Sequence, residues 1–304
     1  MGTSRGRSVR NARGYSLALT ALAVAWLAFG CGVKTVTKVP PADVRPLLEA
    51  NRAEVLAKYD ELSRSVRTVN AKVELAPHTG SNYTGVIEDY KEVNGFVLAV
   101  SPDHIRMLGQ APVIGTRIFD MVSDGETFRI SIPPKGKFIV GPVNFEHEAK
   151  KPLENLRPQH ILEAIFWPPI PAGSAVLFDE EENGGTRYYA LTVVKPGETP
   201  EVARRIWFDR ADLNLSRVET YEAGGRLVSV ARYSDWQAAG EGVRYPRQVE
   251  IDRPHDNYRL ELHIATLTVN GEVAADSFQL AQPPGSELVR LGEKDQEAGG
   301  SSRP

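Results

Sequence analysis

Apolar residues recur along this chain with two periods. Between positions 44 and 66, Val44, Leu48, Val55, Tyr59, Leu62 and Val66 follow one another at intervals of three, four or seven, the spacing that lines one face of an α-helix. Asp43 stands where a capping side chain belongs, and Pro46 falls in the first turn, where proline is tolerated. The spacing predicts one long amphipathic helix over about 44–66.

Beyond it the period drops to two. Val69, Ala71, Val73 and Leu75 alternate with polar residues, as do Phe128, Ile130 and Ile132, and then Tyr258, Leu260, Leu262 and Ile264. Such alternation marks half-buried antiparallel strands. In the last segment the parity changes before Leu267 and Val269, which predicts a bulge near Ala265-Thr266. Turn-forming groups at Asn94-Gly95, Asp124-Gly125, Lys135-Gly136, Asn183-Gly184-Gly185, Ala223-Gly224-Gly225, Gly240 to Gly242 and Asn270-Gly271 imply hairpins in close succession. A twisted sheet of about ten strands curls instead of lying flat. The expected class is therefore α+β, mainly antiparallel β, curved into a barrel or part of one.

One further helix is predicted at Pro158 to Trp167, stopped by Pro168-Pro169. Ile161, Leu162, Ile165, Phe166 and Trp167 occupy most of its circumference, so it needs cover. From Gly285 to Pro304 there is almost no apolar content, and this tail is expected to be disordered.

The first thirty residues follow neither period. Arg5, Arg7, Arg10 and Arg13 precede an apolar run from Leu17 to Phe29, the layout of a secretory signal; the run is short of the roughly 20 residues that span a bilayer. It ends at Gly30-Cys31, the sole cysteine, and resembles the cleavage site of a bacterial lipoprotein, although Ala28 stands where leucine is usual. An ordinary cleaved signal with an incidental cysteine is the alternative. The expected organisation is a signal over 1–30, a tether over 31–41 from lipidated Cys31, a domain over 42–284 and the tail. Each buried methylene of an anchor contributes about 0.8 kcal/mol, and several chains make attachment effectively permanent. Gly32, where an aspartate commonly marks inner-membrane retention in such lipoproteins, points by that analogy to the outer membrane, facing the periplasm.

With the four signal arginines gone, 36 basic residues fall to 32 against 39 acidic, a balance of about −7. That argues against nucleic acid and against polybasic docking on anionic lipid. The six histidines fall in no compact metal spacing; Glu146-His147-Glu148 is the nearest to a cluster, and the acidic run Asp179 to Glu182 reads as a solvated hairpin tip. The lone G-x-S-x-G, at Gly2 to Gly6, lies inside the signal. No nucleotide-binding glycine pattern occurs, and no metal, cofactor or enzymatic activity is expected.

What remains is apolar. Ile118, Phe119, Met121 and Val122, and then Ile206, Trp207 and Phe208, are apolar on both parities, so these strands must be covered on two faces. Either helices pack on each side, or the concave side encloses a cavity for acyl chains.

The order of signal, cysteine, helix, Ser65-Val66-Arg67-Thr68-Val69 entering a first strand, and then a meander resembles the lipoprotein-localisation proteins LolA and LolB. So do the stretches His104 to Thr127, Ile206 to Arg210, Arg217 to Tyr221 and Ala231 to Trp236. The resemblance spans about 44–280 and implies a curved, half-open β-barrel with a long N-terminal helix and a short lid helix over an apolar cavity. It implies a lid at 158–167, with Phe119, Met121, Phe128, Ile130, Ile161, Ile165, Phe166, Trp167 and Trp207 lining lid and cavity. It also implies a membrane-facing connection at Gly109 to Gly115, exposing Val113 or Ile114; folding back of both onto the core is the alternative. The chain departs from LolB in offering β-branched residues beside a proline in that loop, and in the extra residues 143–172. Cargo would be a lipid, fatty acid or lipidated protein. A second possibility is a sensor or scaffold with a filled interior and an envelope protein as partner.

Overall fold

The computed structural model describes residues 46–81, 86–89, 92–143 and 158–291; Cys31, the tether, and Glu146 to Glu148 lie outside them. Two helices are present, α1 (Arg52–Ser65) and α2 (Pro158–Ile165). The first wing of strands comprises β1 (Thr68–Ser81), β2 (Val86–Asp89), β3 (Val93–Val100), β4 (His104–Gln110), β5 (Arg117–Asp124), β6 (Thr127–Ile132) and β7 (Lys137–Pro142). The second comprises β8 (Ala175–Asn183), β9 (Thr186–Lys195), β10 (Glu201–Asp209), β11 (Leu215–Tyr221), β12 (Leu227–Gly240), β13 (Val243–Arg253) and β14 (Tyr258–Val269), and β15 (Glu287–Arg290) follows.

All belong to one curved, unclosed sheet in the order β15-β7-β6-β5-β4-β3-β1-β14-β13-β12-β11-β10-β9-β8, with β2 on β1. The two meanders are joined where β1 pairs antiparallel with β14. The register makes one face apolar from end to end. Ala71, Val97, Met107, Met121, Ile130 and Ile139 are successive cross-strand partners in the first wing. Leu191, Ile206, Val218, Ala231, Ile251 and Leu260 do the same in the second. Both rows belong to a single core against which the helices pack. The expected bulge is present, since Lys72 faces Thr266 while Val73 faces Ile264 and Ala265 is left over.

Four expectations need correction. The first helix has fourteen residues and begins at Arg52. Asn51 caps it by accepting from the amides of Ala53 and Glu54, while Glu54 accepts from the Asn51 amide, a reciprocal capping box. Ahead of it the chain is not helical, and the Leu48 amide donates to Arg210 O, just past the end of β10, at 2.7 Å. Asn94-Gly95 lies within β3 and makes no turn, because Val73 and Leu75 of β1 close over Gly95. Asn270 ends β14 with φ +57° and, instead of turning a hairpin, braces α1: its side chain accepts from Arg67 N and donates to Ser65 O, both at 2.7 Å. Within the expected disordered tail, Glu287–Arg290 form β15, which pairs in parallel with the β7 edge.

The segment between β14 and β15 supplies the second cover that the doubly apolar β5 requires. Arg106 of β4 holds both oxygens of fully buried Asp120 at 3.1 and 2.9 Å and donates to Ser277 O at 3.0 Å, while Phe278 meets His104 edge-on. Asp120 and Val122 are thus buried on the face away from the main core.

Candidate functional site

The concave face is closed by α2 and the residues that follow it. The helix ends at Ile165 because Pro168-Pro169 cannot continue it. Ile161, Leu162, Ala164, Ile165, Phe166 and Trp167 all insert into the core. Trp167 is 1 % exposed and stands among Tyr233, Trp236 and Tyr245, with ring centroids 6.0, 5.6 and 5.4 Å away.

Polar ties hold the segment in place. The Tyr245 hydroxyl donates to Ile165 O at 3.0 Å, and the Tyr59 hydroxyl of α1 to Pro168 O at 2.8 Å. Arg204 reaches from β10 to the carbonyls of Pro168 and Pro169 at 2.5 and 2.8 Å and donates to the Tyr59 hydroxyl at 3.1 Å. His160 Nδ1 lies 3.0 Å from the Tyr258 hydroxyl. The Tyr245 bond satisfies Ile165 O at the helix end, which has no partner within the helix, and the Tyr59 and Arg204 bonds hold the carbonyls beyond it.

Trp167 Nε1 and Tyr233 Oη are both buried in this seam. The two rings meet edge to face, and the indole N–H is the donor beside the phenol oxygen. Burial raises the Tyr233 phenol far above its ordinary range, so it stays protonated. Beyond Trp236, which stacks on Trp167, a pocket of about 120 Å³ opens between α1 and the β12–β13 hairpin, lined in part by Lys58, Leu62, Val243 and Arg244.

Phe119, Met121, Phe128, Ile130, Ile161, Ile165, Phe166 and Trp167 are gathered into one core. Trp207 is not among them. In β10 it alternates with Ile206 and Phe208, which face the core, so it is carried to the opposite face of the sheet. There its ring lies between the guanidinium groups of Arg205 and Arg217, at 4.8 and 4.9 Å, and its Nε1 donates to Glu181 at 2.7 Å. It lines a polar cleft of about 420 Å³ with Glu181, Arg217, Arg232, Glu250 and His263.

The charges of that cleft are largely matched internally: Arg205 pairs with Glu181, Arg217 with Glu219, and Arg232 with Glu250. Burial, reinforced by the adjacent Glu219, pushes the Tyr221 phenol up to about 12. The acidic run occupies β8 instead of a hairpin tip, and Glu180, Glu181 and Glu182 each pair with an arginine, respectively Arg210, Arg205 and Arg187. Among the described residues no group of three or more His, Cys, Asp or Glu could hold a metal ion.

At the opposite extreme are Val113 and Ile114. They sit at the apex of the β4–β5 connection, closed by Gly115 N donating to Ala111 O at 3.0 Å, and are 95 % and 77 % exposed. They do not fold back onto the core. The structure does not bring this tip into contact with the Trp167 seam; the two are separate features. Sequence reasoning placed the helical segment at 158–167 and the exposed Val113 and Ile114 but missed the role of Arg204, Tyr59 and Tyr233 around that segment, whose signal was a polar or aromatic residue on strands and a helix already assigned to packing.

No protein-family model matches the chain, and no curated protein does. Among solved structures it is similar to a DUF1329 family protein from Desulfovibrio piger, at 12 % identity and a TM-score of 0.49, covering 74 % of this chain and 94 % of that one. It is similar to a LolA superfamily protein from Nitrosomonas europaea, at 12 % identity and a TM-score of 0.47, covering 76 % and 99 %. A third is described as an outer membrane lipoprotein-sorting domain, from Vibrio parahaemolyticus, at 12 % identity and a TM-score of 0.44, covering 74 % and 95 %.

Proposed function

We propose that this chain is a non-enzymatic envelope protein, attached to a membrane through lipidated Cys31, whose half-barrel takes up an acyl chain or lipidated polypeptide when the lid is displaced. The observation that carries this reading is the manner of closure. A sheet with a continuous apolar concave face has, as its cover beside α1, a two-turn helix and its apolar continuation, all inserted side-chain first. An incoming chain offers the same contacts, about 0.8 kcal/mol per methylene buried. Val113 and Ile114 give the protein a second apolar contact, at a membrane surface, away from the anchor.

Bromine on an acyl chain quenches nearby indoles. In residues 32–304 the tryptophans are Trp167 and Trp236, inside, and Trp207, outside. Brominated palmitoyl lipid is expected to quench emission in the Trp207→Phe variant and to leave a Trp167→Phe/Trp236→Phe variant bright. Quenching confined to Trp207 would rule the reading out.

A second reading, a sensor or scaffold on the same fold, is favoured by one observation: Trp167 already fills the interior, stacked on Trp236 and in contact with Tyr233 and Tyr245. It predicts no quenching of any indole and a partner protein on the outer surface.

A further inference from the structure

The chain treats the two edges of its sheet differently. The β7 edge is taken by β15. At the other end no strand lies beyond β8 among the described residues, and β8 contains neither the proline nor the bulge that commonly closes an edge. Its hairpin fixes which main-chain groups it presents. Gly184 and Gly185, both at positive φ, make a two-residue turn between Asn183 and Thr186. Those two residues bond to one another, so Glu181, Asp179 and Leu177 also direct their amides and carbonyls to β9, while Glu182, Glu180, Phe178 and Val176 direct theirs away. Arg52 bears out this parity by donating from Nε and Nη2 to Val176 O at 3.3 and 3.1 Å. The outward amides and carbonyls of Phe178, Glu180 and Glu182 have no partner among the described residues.

Side chains decide what can pair there. Val176 and Phe178 pack against the core, so Leu177 and Asp179 lie on the outer face. Leu177 is 61 % exposed. Asp179 is exposed and makes no ion pair among the described residues, whereas Glu180, Glu181 and Glu182 are each held by an arginine. A second copy of β8 would meet like charge. Antiparallel pairing about Glu180 sets Glu180 against itself and Asp179 against Glu181, and pairing about Asp179 sets that carboxylate against itself; like charges directly opposite are destabilising.

We propose that the free edge of β8 is a docking site for an extended, basic segment of a partner protein, which adds as an antiparallel strand with Lys or Arg opposite Asp179 and an apolar residue opposite Leu177. Main-chain bonds to Phe178, Glu180 and Glu182 supply affinity, and Leu177 and Asp179 supply selectivity and direction. The site uses the sheet edge and not the interior, so it goes beyond the acyl reading and does not depend on it.

Fluorescence polarisation of residues 32–304 with the labelled peptide Thr-Lys-Thr-Lys-Val-Val-Thr, whose second lysine falls opposite Asp179 and second valine opposite Leu177, tests this. N-methylation of its middle threonine and first valine, whose amides face Glu180 and Phe178, should weaken binding about tenfold through the loss of two hydrogen bonds. N-methylation of the two lysines, whose amides point away, should leave binding unchanged. Glu180→Pro, which removes an outward amide and keeps the ladder to β9, and Asp179→Lys, which reverses the exposed charge, should each weaken binding severalfold; the second variant keeps the test open where the first disturbs β8. Absence of binding, equal effects of the two methylation patterns, or affinity unmoved by both variants would overturn the edge site. Self-association in sedimentation velocity that Glu180→Pro abolishes would overturn the basic partner in favour of a second copy.

Discussion

The Tyr59 hydroxyl of α1 donates to the carbonyl of Pro168 at 2.8 Å, and that bond ties the first helix to the chain leaving the second. Arg204 doubles the tie from β10. Tyr59→Phe removes one of two donors to Pro168 O and should cost about 1 kcal/mol. Arg204→Ala leaves Pro168 O with one donor and deprives Pro169 O of its own, and should cost about 1–3 kcal/mol. Urea midpoints of the two variants check the order. Equal losses would mean that the arginine does no more than the phenol.

Gly95 sets how closely β3 approaches β1. A Cβ there would fall 2.8 Å from Leu75 Cδ1 and 2.9 Å from Val73 Cγ2, inside the core. Gly95→Val should destabilise the fold by about 1–3 kcal/mol through overpacking, and Leu75→Ala in the same chain should recover part of it. Additive losses in the double variant would contradict the contact.

That glycine also shows what the sequence could and could not disclose. Alternation along β1, β6 and β14 was legible because one face of each meets the core and the other meets polar surroundings. Asn94-Gly95 reads as a turn by composition, yet the demand for a small residue comes from Leu75, twenty positions away in sequence. The start of α1 was misplaced because apolar spacing extends through Leu48, whereas the Asn51–Glu54 capping box fixes the boundary. Trp207 looked like core by residue type; only the parity of β10 sends it to the charged face. The segment 158–167 was visible as apolar and needing cover, but the meeting of Trp167 with Tyr233 is a contact between segments over sixty residues apart.

Val113 and Ile114 contribute exposure without packing. Val113→Asp/Ile114→Asp should change stability by no more than about 0.5 kcal/mol, as for other surface substitutions. It should nevertheless lower co-sedimentation of residues 32–304 with phosphatidylethanolamine–phosphatidylglycerol vesicles. Loss of stability with unchanged sedimentation would contradict the assignment of this tip to a membrane surface.

Asp124 gives a pH signature. Partial burial raises its pKa, but donation by the amides of Thr127 and Glu126 at 2.8 and 3.1 Å, the Thr127 hydroxyl and the nearby Arg129 outweigh it and leave the carboxyl below its ordinary range. A carboxyl whose pKa is lower folded than unfolded stabilises above its unfolded pKa and loses that contribution as pH falls through the folded one. The stability difference between the natural chain and Asp124→Asn should therefore be constant near neutrality and shrink below the ordinary aspartate range. A difference independent of pH would show that the charge is irrelevant to the β5–β6 turn.

The central claim is that the half-barrel opens to an acyl chain, and native mass spectrometry of residues 32–304 purified from a bacterial envelope tests it most directly. The account predicts a fraction of molecules carrying an adduct that solvent extraction releases as a lipid, a fatty acid or a lipidated polypeptide. A single ligand-free mass, unchanged after incubation with monopalmitoylglycerol and an N-palmitoylated peptide, would contradict it and leave a filled scaffold.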